Sequence, residues 1–136
     1  MMTAERFTVE DRPAESRYVL LDHEASAVVD SIEADAASGA STAPDPVIGE
    51  EQYVDVLGDS GRTERVLIHT GVDDGYAGQG LASFLVRTVV DDVIARGFAI
   101  VPVCPYVRAW LPKHPEYAAH VVPRRPEHLA AIRARG

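Results

Sequence analysis

Thr70-Gly71-Val72-Asp73-Asp74-Gly75-Tyr76-Ala77-Gly78-Gln79-Gly80-Leu81-Ala82-Ser83-Phe84-Leu85 is the stretch whose reading decides the fold. The β-branched run Val66-Leu67-Ile68-His69-Thr70 leads into it and an amphipathic run leads out, so a glycine-rich turn joins a strand to a helix. Gly75, Gly78 and Gly80 allow positive φ and remove side chains that would cover the backbone amides. The first helical N–H groups are left unpaired at the positive end of the helix dipole. Such a turn is an anion site, most often for phosphate.

The helix follows from spacing. Leu81, Ala82, Leu85, Val86, Val89, Val90, Val93 and Ile94 form one apolar stripe, and Ser83, Arg87, Thr88, Asp91, Asp92 and Arg96 take the other face. Gly97 stands where a glycine closes a helix. Phe98 to Cys104 then predicts a second strand, buried on both sides. Strand, turn, helix and strand make a βαβ unit with a right-handed crossover.

Two nucleotide-binding patterns fail on this turn. A P-loop needs Gly-Lys-Ser/Thr, and Gly80 is followed by Leu81. A dinucleotide fingerprint has a third glycine where Ser83 stands, and an acid at the end of the next strand, where Phe98 to Cys104 has none. Gly75-Tyr76-Ala77-Gly78-Gln79-Gly80 instead resembles the pyrophosphate loop of the GNAT acetyltransferases, Gln/Arg-x-x-Gly-x-Gly/Ala, with Gly75 in place of the leading Gln/Arg. His69-Thr70, Val101-Pro102-Val103-Cys104-Pro105-Tyr106 and His114-Pro115-Glu116-Tyr117 extend the resemblance, in order and spacing, to the compact single-domain predicted N-acetyltransferases of that superfamily. It covers about Val66 to Tyr117. Where that family commonly carries an acid after His-Thr, this chain has Gly71.

The resemblance implies an α/β fold: a mixed, twisted sheet whose two neighbouring parallel strands splay into an acyl-CoA cleft. It implies acetyl-CoA as acetyl donor, CoA as product and an amine of a protein, peptide or small molecule as acceptor. Cofactor contacts are expected from Thr70, Gly71 and Val72 at the strand end and from the turn residues Gly75, Tyr76, Ala77, Gly78, Gln79, Gly80, Leu81 and Ala82. Pro102 gives independent support, since a residue without an N–H belongs where a ladder is interrupted or edged. Acetyl transfer needs a neutral amine, an oxyanion donor and a proton for the leaving thiolate. Proximity supplies much of the rate, so direct attack by the amine is the favoured route and no strong base is required. Cys104, at the end of the second strand, is the alternative nucleophile, although no sequence feature pairs it with a base. His69 is a candidate base for the amine, and Tyr106 a candidate partner for the leaving thiolate. The alternative function is a non-catalytic acyl-CoA-binding or interaction module, favoured by Gly71.

Around this unit, 136 residues predict one domain, with residues 118–136 a basic C-terminal tail. A net charge of −8 argues against nucleic acid or an acidic membrane as partner and suits a cationic acceptor. One cysteine excludes an internal disulfide and fits a reducing compartment; with no apolar leader in Met1 to Glu10, the expectation is a cytoplasmic monomer or homodimer. The five histidines show no metal-ligand spacing, so no metal is expected. Phe7 to Asp22 reads as the first strand, and Val47 to Val56 with Glu64 to Thr70 as a hairpin about Gly58-Asp59-Ser60-Gly61. Residues 23–46 read as a mobile insertion bordering the acceptor side, with a helix over Ala25 to Ala37 and a loop over Ser38 to Pro46. Tyr106 to Lys113 predicts a short helix, and Pro126 starts another within a solvated terminus.

Overall fold

In a computed structural model of the chain, residues 6–24 and 46–135 are described. The expected insertion lies outside the described residues, apart from His23, Glu24 and Pro46. Five strands form one sheet in chain order: β1 (Phe7–Arg12), β2 (Arg17–Asp22), β3 (Val47–Leu57), β4 (Thr63–Val72) and β5 (Ala99–Pro102). The first four pair antiparallel; β4 and β5 run parallel, joined through helix α1 (Leu81–Ala95). Helix α2 (Pro105–Trp110) follows β5, and α3 (Pro126–Arg135) ends the described chain.

The mixed sheet and its βαβ unit match the expectation, and three local readings change. Phe7 to Asp22 is not one strand but a hairpin, because Pro13 opens a tight turn that Ser16 closes in the left-handed region at φ 56°. The second parallel strand is shorter than Phe98 to Cys104, since Pro102 has no N–H to continue the ladder and Pro105 starts α2. The tail from Pro126 is docked. Buried His128 accepts from the Arg125 amide through Nδ1 at 2.8 Å, which leaves Nε2–H to donate to Glu64 of β4 at 2.7 Å. Arg135 caps carbonyls of Tyr53 and Ser16.

The core lies between the sheet and α1. The predicted stripe is buried at Leu81, Leu85, Val86, Val89, Val90 and Val93, facing Leu20, Leu67 and Ile100 from three strands. At roughly 1.5–3 kcal/mol for each fully buried aliphatic side chain, this face outweighs every surface ion pair in the molecule. A polar strut aligns the layers: the Tyr18 hydroxyl donates to Asp92 of α1 at 2.6 Å and accepts from Arg65 of β4 at 2.8 Å. Helix α1 ends as expected, with Gly97 N–H bonded to Ile94 and Phe98 N–H to Val93.

Candidate active site

The strand order places the glycine turn and a gap in the sheet at the same end. The β4–β5 ladder stops at Leu67 and Pro102, while β4 runs on to Val72. The amides of Val103 and Cys104 both bond to the Leu67 carbonyl, after which the chain turns into α2. Residues 69–72 of β4 thus have no β5 residue paired with them, and those of their backbone groups that do not point to β3 face the gap.

A bulge decides which side chains face which way. Gln52 pairs with His69 and Tyr53 with Leu67, so Ile68 has no partner on β3. Past that extra residue, Thr70 and Val72 point to the α1 side, while His69 and Gly71 point to the other. A Cβ on Gly71 would sit 3.2 Å from His69 Nε2, in keeping with one shared face. The structure therefore does not bring His69 together with Cys104: His69 is exposed on the far face, Cys104 buried on the near one.

Two hollows flank the end of β4 and share Val72. On the α1 side, a cavity of about 400 Å³ is lined by Tyr76, Ala77, Gly78, Gly80, Leu81 and Tyr106 among others. Gly78 and Gly80 hold φ of 84° and 74°, Gly80 caps α1 without any side-chain bond, and a Cβ on either would project into open space. The amides at the start of α1 are therefore uncovered, as an anion needs. Gly75 departs from the expectation: it lies in a 3-10 turn, Asp74–Tyr76, and not in the left-handed region. This turn is strapped down, the Tyr76 hydroxyl donating to buried Asp22 at 2.5 Å while Arg6 holds the same carboxylate. That bond and burial raise the Tyr76 pKa. Tyr106 stands beside the turn, half exposed, its pKa raised by burial.

On the opposite face, a hollow of about 350 Å³ is lined by Arg17, Glu50, Gly71 and Asp73. Burial alone would raise the Glu50 pKa, but bonds from Gln52 and Arg17 hold it below the ordinary value. Another cavity, of about 730 Å³, lies elsewhere, beyond Pro102 between Arg108 and Arg124, and shares no residue with either hollow.

Sequence reasoning missed one residue. Glu51 of β3 pairs across the sheet with Thr70 and is fully buried on the α1 side. The Thr70 hydroxyl donates to Glu51 Oε1 and stands 3.2 Å from Cys104 Sγ. Burial pushes the Glu51 carboxyl up to about 8, helped by the nearby charge of Glu50 and opposed by the Thr70 bond. Glu51 Oε2 has no hydrogen-bond partner among the described residues. The signal available in sequence was the pair Glu50-Glu51 inside a strand, of which one must face inward. No group of three or more His, Cys, Asp or Glu that could hold a metal occurs among the described residues. No helix among them is long and apolar enough to cross a membrane.

Comparison with known proteins agrees with this geometry. No curated protein sequence matches the chain. Among solved structures, the NMR solution structure of a GCN5-like protein from Staphylococcus aureus superimposes with a TM-score of 0.53 at 18% identity, over 92% of this chain and 97% of that one. An aminoglycoside acetyltransferase from an uncultured soil metagenomic sample overlaps at a TM-score of 0.43 and 11% identity, over 87% of this chain and 53% of that one. The sequence profile of the GCN5-related N-acetyl-transferase family matches residues 42–121, more than half of the length. With the splayed β4–β5 pair and the glycine turn at its mouth, the chain belongs to the GCN5-related N-acetyl-transferase family and is an acetyltransferase.

Proposed function

We propose that the chain, acting as a single domain, takes the acetyl group of acetyl-CoA and passes it to an amine that enters on the opposite face of β4. The observation that carries this reading is the coincidence of the β4–β5 gap with the uncovered start of α1. The pyrophosphate rests on amides between Ala77 and Leu81, where Gly78 and Gly80 leave open space. The pantetheine arm then lies along residues 69–72, where β4 has no β5 partner, and brings the thioester beside Thr70 and Cys104. An unpaired β4 amide there can donate to the oxyanion.

The acceptor side is acidic. Glu50 and Asp73 line its hollow against the single cation Arg17, which pairs with Glu50, and His69 is exposed on the same face, so a cationic amine is drawn towards Asp73 and loses its proton to His69. In this reading Tyr106, two residues after Cys104 and lining the same cavity as the turn, hydrogen-bonds the departing CoA thiolate. A screen of polyamines, lysine peptides and aminoglycosides, read as free-thiol release from acetyl-CoA, tests the activity. Acceptor-dependent release is expected; release no faster than without acceptor, across all three classes, would leave a CoA-binding module without turnover.

A further inference from the structure

Resting on the acetyl-CoA reading, we infer that Glu51 is the proton acceptor for Cys104, reached through the Thr70 hydroxyl, so that Cys104 carries the acetyl group before the amine does. Three groups from three segments lie in line: Glu51 on β3, Thr70 on β4 and Cys104 at the start of α2. Thr70 Oγ1 gives its proton to Glu51 Oε1, which leaves its lone pairs free to accept from the thiol 3.2 Å away. Cys104 thereby gains the paired base that the sequence did not show.

The surroundings of Glu51 are those of a working carboxyl. No cation pairs with it among the described residues. Tyr18 faces it from β2, its hydroxyl already engaged with Asp92 of α1 and Arg65 of β4, and Glu50 is its acidic neighbour on β3. Structure alone gives no reason for a buried, half-satisfied carboxyl here, since an aliphatic side chain would pack without the desolvation cost. A carboxyl raised to about 8 is matched to thiol chemistry. An ordinary carboxylate, about 4 units below a thiol, is too weak a base.

The step balances. The Cys104 proton moves to Thr70 Oγ1 as the Thr70 proton moves to Glu51. The thiolate forms an S–C bond to the acetyl carbonyl carbon, the C–S bond to CoA breaks, and the CoA thiolate takes a proton from water. A neutral amine then forms an N–C bond to the same carbon. The bond to Sγ breaks, the amine releases a proton to water, and Glu51 returns its proton through Thr70 to Cys104.

Cys104 is the only cysteine, so its alkylation by iodoacetamide reports on this thiol alone. Measured on the free protein from about pH 6 to 10, the wild-type rate should rise in two steps, because the relay makes the reactivity of the thiol depend on whether Glu51 is ionised. Glu51→Gln should leave a single step. With acetyl-CoA and no acceptor, the wild type should gain one acetyl group by intact mass. Glu51→Gln and Thr70→Val should form it at least about 100-fold more slowly, and Thr70→Ser should restore it. Titration of CoA into each variant separates the two readings. If the variants bind CoA and acetylate at the wild-type rate, the relay is wrong and the acetyl-CoA reading stands; if the wild type does not bind CoA, that reading fails first. A single-step wild-type profile overturns the relay even should a variant not fold.

Discussion

At the scale of single residues, the site turns on a carboxyl kept out of water. Glu51 titrates at about 8 in the fold against 4.5 for the ordinary group, so over that window the folded chain holds a proton that the unfolded chain has released. Its contribution to stability is therefore fully present below pH 4.5, falls as pH rises, and is gone above about 8. Glu51→Gln carries no such proton. The urea midpoint of the variant relative to wild type should thus move in the variant's favour between about pH 5 and about pH 8.5. An unchanged difference would mean that Glu51 titrates normally. His69 illustrates the opposite outcome: its neighbour in sequence reaches the thiol, while the imidazole faces the acceptor side.

At the scale of elements, the βαβ unit was legible because local rules agree there. The stripe from Leu81 to Ile94, the glycines before it and Gly97 after it each point to the same helix, and its buried face is the predicted one. The relay was not legible, because it depends on strand register. Glu51 shares a face with the core residue Tyr53 two positions on, but whether His69 or Thr70 joins it is set by the bulge at Ile68, and nothing in Val66 to Thr70 marks that extra residue. The hairpin at Pro13 was missed because Phe7 to Asp22 reads as one strand, while Pro13 begins a turn inside it. The strap on the glycine turn is also long-range, joining Tyr76 to Asp22 of β2. Tyr76→Phe removes one bond to a charged partner, worth roughly 1.5–3 kcal/mol. It should weaken CoA binding severalfold, read by calorimetry, with the unfolding transition still cooperative. Unchanged affinity would show that the turn holds its shape without the strap.

At the scale of the whole molecule, one sheet does two jobs. Its α1 face carries the core and the thiol relay, and its other face carries the acidic hollow and the docked helix α3. The end of β4 lies between the two hollows, so donor and acceptor can approach one gap from opposite sides. The central claim is that the donor binds at the glycine turn, and calorimetric titration of CoA into wild type, Gly78→Asp and Gly80→Asp tests it most directly. Either aspartate puts a charge and a side chain where the phosphates should sit, at a φ that disfavours it. The account predicts one CoA per chain for the wild type and no measurable binding for either variant. Equal binding by all three, or none by the wild type, would contradict it.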